Sequence, residues 1–212
     1  MKKFKTILWL IVLIGLLSAC GRIQTKVPGD QATEETGIED RNDVSSSEII
    51  KETAREAINA LRDKDMEKIS KLVHPEKGVR FSPYAFVDVK NDLVFAAADV
   101  KDLLSDTTIY TWGSFDGTGD PIELTFEEYY KKFIYDADFA NAEQVGYNEI
   151  LGKGNTIENS AEVYKDSVIV EYHFSGIDPQ YEGMDWRSLR IVFEKFRDTW
   201  YIVGIIHDQW TV

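Results

Sequence analysis

The last third of the chain constrains the fold most. "SVIVEYHFS" alternates, with Val168, Val170, Tyr172 and Phe174 on one side and Ile169, Glu171 and His173 on the other. "SLRIVFEKF" does the same, setting Leu189, Ile191 and Phe193 against Arg190, Val192 and Glu194. A period of two is the mark of a strand with two different faces. "TWYIVGIIHDQW" follows and is apolar on both sides, as a central strand covered above and below must be. Arg197-Asp198 between the last two runs reads as a hairpin connection. Three antiparallel strands therefore close the chain.

The other end of the domain has a different period. Ile50, Ala54, Ala57, Ile58 and Leu61 form one helical face, and Met66, Ile69, Leu72 and Val73 resume it after "RDKD". A long helix, a break near Asp63–Asp65 and a second helix are expected. Ser45 and Glu48 have capping-box spacing, and so do Thr125 and Glu128 ahead of the helical face Phe126, Tyr130 and Phe133. Pro75 ends the second helix, with His74 biased to extended backbone. "VRFSPYAFVDV" reads as a strand interrupted or edged by Pro83. "AADVKDLLSD" reads as a short helix, "TIYTWGSF" as a strand and "DGTGDP" as a turn. Helices at one end and strands at the other argue for an α+β fold.

The first nineteen residues stand apart. Lys2, Lys3 and Lys5 precede an apolar run of eleven residues, which is too short for a comfortable membrane span of about 20. It has the length of a signal-peptide core. The run closes on Leu17-Ser18-Ala19-Cys20, which resembles the lipobox of bacterial lipoproteins. That resemblance implies cleavage before Cys20 and a lipid on its thiol. Cys20 is the single cysteine, so an intramolecular disulfide is excluded. The resulting division is a signal at 1–19, a lipidated disordered tether at 20–44 and one globular domain at 45–212. The tether lacks aromatics and would span about 25–30 Å.

Charge narrows the partners. The whole chain carries −13, and removing the three signal lysines leaves 21 bases against 37 acids. Anionic head groups repel such a surface, so the lipid alone must hold it on the extracytoplasmic side of the cell membrane. No basic stripe interleaved with aromatics is present, which argues against nucleic acid.

"ALRDKDMEKISKLVHP", mixed strands and the closing "LRIVFEKFRDTWYIVGI" together resemble the NTF2-like (cystatin-superfamily, SnoaL-like) fold. The resemblance implies a cone in which N-terminal helices pack inside a curved, mainly antiparallel sheet. "HPEKGVRFSPYAFV", "YTWGSFDGTG" and "GIIHDQW" also resemble segments of lipoproteins from Gram-positive bacteria. "DADFANAEQVGYNEILGKGNTIENSAEVYKD" departs from the generic fold as an insert.

Several constellations are candidates for chemistry. Glu171 with His173, and Arg190 with Glu194, share strand faces. On the concave side they would meet in the cone and serve acid/base work. On the other side they are an exposed face with a cross-strand ion pair. His74, Glu76 and Arg80 would border the cone mouth, or His74 simply terminates a helix. His207 and Asp208 are neighbours in a strand and point to opposite sides, so neither can orient the other. Three histidines and one cysteine argue against structural zinc. "DGTGDPIE" fails the EF-hand spacing, and no nucleophile elbow, P-loop or dinucleotide fingerprint is present. No cofactor or metal is expected. Arg80, Tyr84, Phe86, Trp112 and Trp186 are the main candidates to line a ligand cleft, with Tyr129, Tyr130 and Trp210 behind them. The expected role is a non-catalytic module binding an envelope protein or a small ligand. An acid/base enzyme, and a module that forms homodimers through the open sheet face, are the alternatives.

Overall fold

The computed structural model describes residues 38–211, with side chains from 46 onward. The chain divides into two units, Met1–Ile38 and Glu39–Val212, and the description is of the second. The signal, the lipobox with Cys20 and the tether up to residue 37 lie outside the described residues.

Helix α1 runs Ile38–Asp63 and α2 runs Met66–Leu72. α1 begins seven residues before Ser45, so Ser45 lies inside it and the expected capping box does not start the helix. Residues 38–44, read above as tether, are helical. The expected break has a clear cause. Lys64 is left-handed (φ 56°), with Lys64 N–H bonded to Leu61 O at 3.1 Å and Asp65 N–H to Ala60 O at 2.9 Å. That pair is a Schellman motif. Asp65 then caps α2 by accepting from Lys68 N–H at 3.0 Å.

The sheet has six strands in the order β2-β1-β8-β7-β6-β5. Their ranges are β1 Val79–Ser82, β2 Val94–Phe95, β5 Gln144–Tyr147, β6 Ser167–Phe174, β7 Arg187–Phe196 and β8 Thr199–Gln209. All pairs are antiparallel except β1 with β8, which run parallel through Arg80↔Gly204 and Ser82↔Ile206. β8 is central and covered on both faces, as its composition requires. Val203 is an extra residue opposite the Val192–Phe193 step, a bulge that bends the sheet. A short helix α3, Ala97–Val100, is followed by a separate hairpin, β3 Tyr110–Ser114 with β4 Pro121–Leu124, and then by α4 Phe126–Phe133. β1 is shorter than expected. It stops at Ser82 because Pro83 has no N–H to continue the ladder.

The inner face of the curved sheet carries the core. Val170, Tyr172, Leu189, Ile191 and Phe193 point inward, the strand face predicted to be the more apolar, and Ile205 joins them. α1 lays Ile50, Ala54, Ala57, Ile58 and Leu61 on them. Tyr172 O–H donates to Ala54 O at 2.9 Å, and Tyr130 O–H donates to Leu61 O. The mouth is closed by aromatics from α4 and β3. Phe81, Trp112, Phe126, Tyr129 and Phe133 are all buried, and Trp112 stacks on Tyr129 at 3.9 Å. Helices against a curved, mainly antiparallel sheet make this the α+β class expected.

The second capping box is complete. Thr125 Oγ1 accepts from Glu128 N–H, and the Glu128 carboxylate accepts from Thr125 N–H at 2.9 Å. Thr125→Ala is expected to cost about 1 kcal/mol in a urea melt. An unchanged midpoint would show that packing of Phe126 and Phe133 alone fixes α4.

Candidate functional site

Glu171, His173 and Arg190 do share one face, but it is the outer one. Register sets Glu171 opposite Arg190, His173 opposite Ser188, and Ser188 opposite Asp208. The outer face is not exposed. Residues 148–166, the later part of the insert predicted over 136–166, cross it and cover it. A small cluster of Val87, Ile169, Val192, Val203 and Ile206 packs under Val163 and Tyr164 there. Asn159 staples the crossing to the strand-following segment, accepting from Val87 N–H at 2.8 Å and donating to Val87 O at 3.1 Å.

Beneath that cover lies a buried ionic network. Arg190 and Glu171 are fully buried and Asp208 is 2% exposed. Arg190 Nε donates to Glu171 Oε2 at 3.0 Å. Its Nη2 donates to Asp208 Oδ2 at 2.9 Å and to Gly152 O at 3.0 Å. Glu171 accepts in turn from the backbone N–H groups of Leu151 and Gly152, both at 2.9 Å. The side chains thus hold the insert as well as each other. Gly152 is required: a Cβ there would lie 2.4 Å from Ser188 Oγ and 2.7 Å from the Trp186 ring. Burial opposes the Arg190 charge, yet Glu171 and Asp208 outweigh it and hold the guanidinium above its ordinary pKa. Burial pushes Asp208 up, with Arg190 only partly offsetting it. Burial lowers His173, whose Nδ1 lies 2.8 Å from Ser188 Oγ.

Glu194 does not join this set. It lies toward the other end of β7 and pairs with Lys77 at 2.5 Å. Arg80 also projects from the outer face, donating to Val89 O and Asp92 O. It therefore does not border the cone mouth. His74 is buried and terminates the helix pair: its Nδ1 accepts from Glu76 N–H at 3.1 Å and Lys77 N–H at 3.0 Å. Glu76 is exposed beside it.

The cleft candidates scatter. Trp112, Tyr129 and Tyr130 are core, because the cone is filled by them. Tyr84 packs on Phe133 with rings 5.7 Å apart, and its hydroxyl accepts from Asp116 N–H. Phe86 and Trp210 are exposed. Trp186 is buried on the outer face, against Gly152 and Gly154. The dimerisation expected through an open sheet face meets, over β6, β7 and β8, a face already occupied by the insert.

One inward-facing polar cluster joins His207 to partners that the sequence did not point to. His207 Nε2 lies 3.2 Å from both carboxylate oxygens of Asp136, and Arg187 Nε donates to Asp136 Oδ2 at 2.8 Å. Burial pushes Asp136 up, but His207 and Arg187 outweigh it and leave the carboxyl below its usual range. His207 and Asp208 do point to opposite faces. Among the described residues, no group of three or more His, Cys, Asp and Glu is placed to hold a metal ion.

No protein-family model matches the chain, and no curated protein sequence matches it. Solved structures are similar at low identity, two of them as follows. One is a designed NTF2-like protein at 13% identity and a TM-score of 0.29, covering 79% of this chain and 98% of that one. The other is described as a calcium/calmodulin-dependent protein kinase II association domain from Xanthomonas campestris. Its identity is 12% and its TM-score 0.30, covering 85% of this chain and 94% of that one. At these scores the likeness adds nothing to the topology.

Proposed function

We propose that this chain is a lipid-anchored, extracytoplasmic binding module of NTF2-like architecture, with a cone that is structural and an outer surface that does the binding. The observation carrying this reading is the filled interior. Trp112, Phe126, Tyr129 and Phe133 occupy the space where a cone enzyme keeps its substrate, and each is at most 1% exposed. The acid/base alternative loses its candidates for a separate reason, their place on the outer face. Glu171 and Arg190 are paired on the far face, where Arg190 also holds Asp208 and Gly152 O, and Glu194 is tied to Lys77.

Anchoring rests on the lipobox sequence and the charge balance. With 21 bases against 37 acids after the signal, the surface has no electrostatic affinity for anionic lipid. More than one acyl chain gives a stable hold where a single chain is marginal. Cys20→Ser is expected to move the protein from the membrane fraction to the soluble fraction. Retention of that variant in membranes would overturn the anchor.

A further inference from the structure

The outer network is not charge-balanced. Glu171 and Asp208 face a single Arg190, leaving one net negative charge among three buried side chains. Asp208 is its open end. Oδ2 is held by Arg190, while Oδ1 is buried and has no hydrogen-bond partner. A buried carboxylate oxygen with no donor is costly even when its charge is paired, so Oδ1 in this position needs one.

The wall around Asp208 offers room for one. A cavity of about 460 Å³ opens beside it, lined by Ile150, Gly152, Lys153, Gly154, Thr156 and Glu158. Gly152 and Gly154 let the backbone approach closely. Glu158 adds a second carboxylate at the rim, where one oxygen accepts from Ser160 N–H. Lys153 is exposed at the mouth. Asp208 and Glu158 against Lys153 leave the lining negative, which favours a cationic donor over a neutral or anionic one.

We propose that this cavity is a binding site for a small protonated amine, whose ammonium group donates to Asp208 Oδ1. The site lies on the face opposite the cone. It deepens the proposed binding role by naming a ligand class, and it does not depend on the anchor. A failed amine titration would leave the Cys20→Ser result standing, and the reverse also holds.

The test is a titration of the full chain with ethylammonium, followed by backbone amide shifts, with ethanol as the neutral control of similar size. Ethylammonium is expected to give saturable shifts at Gly152, Gly154 and Thr156, and ethanol none. Asp208→Asn should weaken binding by about tenfold or more, since it removes a charge-assisted hydrogen bond. Lys153→Ala should bind as well or more tightly, because a competing like charge is gone. Should Asp208→Asn fail to fold, Glu158→Gln leaves the buried network intact and should weaken binding by about two- to threefold. Absence of a saturable response in the parent chain and in Lys153→Ala would overturn the proposal. So would an equal response to ethanol, or unchanged affinity in both carboxylate variants.

Discussion

Arg190→Met is expected to destabilise the domain by about 3–5 kcal/mol, read as a lowered midpoint in urea. The guanidinium is fully buried and bonds to Glu171, Asp208 and Gly152 O. Its removal leaves two buried carboxylates facing each other. Replacing the whole set, as Glu171→Leu, Arg190→Met and Asp208→Leu together, should recover part of the loss, since apolar groups of similar volume need no counter-charge. Recovery should stop short of complete. Glu171 also accepts the N–H groups of Leu151 and Gly152, and leucine cannot. Amide exchange at Gly152 separates the two effects: it should remain fast in the triple variant even where the global midpoint has returned. A triple variant no more stable than Arg190→Met would mean that the network acts through the insert alone.

Trp112→Ala should cost a similar amount, about 3–5 kcal/mol, by large-to-small truncation in a packed core. Trp112 is fully buried, stacked on Tyr129 and edge-on to Phe81 and Tyr110. Its Nε1–H also donates to Leu124 O at 2.9 Å, so the variant strands a carbonyl as well as opening a void. Trp112→Phe keeps most of the volume and should fall between. A loss below about 1 kcal/mol for Trp112→Ala would mean that the cone tolerates a cavity there. The filled-interior basis for a non-catalytic role would then fail.

Periodicity carried most of the architecture. The inward sets Val170/Tyr172 and Leu189/Ile191/Phe193 could be read because a strand's period of two separates faces without knowledge of its neighbours. The break between α1 and α2 was legible in "RDKD", though its left-handed Lys64 was not. Two things were hidden. Periodicity says that Glu171, His173 and Arg190 share a face but not which face, and the answer depends on where residues 148–166 run. Their path is set by single contacts such as Asn159 with Val87, 72 residues apart. Asp136 was missed for the same reason, since its partner His207 lies 71 residues on. The glycine pair in "LGKG" was the one available hint of close backbone approach over the outer face. Trp112 was misplaced because aromatic content cannot distinguish the lining of a cleft from the material that fills it.

The parallel pairing of β1 with β8 has a bearing on how the chain reaches this state. Arg80 meets Gly204 across nearly the whole domain, so the strand that follows the helices has no neighbour on that side until the last strand is available. Contacts of such long sequence separation must bear their loop-closure entropy before they return any stabilisation, which slows folding. The hairpin β7–β8 and its neighbour β6 can form locally, whereas β1 must wait for β8 to fill its second edge, although Phe81 already has Phe95, Trp112, Phe126 and Tyr129 to pack on. A chain built this way is poorly suited to folding from its first residue onward as it emerges. Its sheet can be completed only on its own final strand.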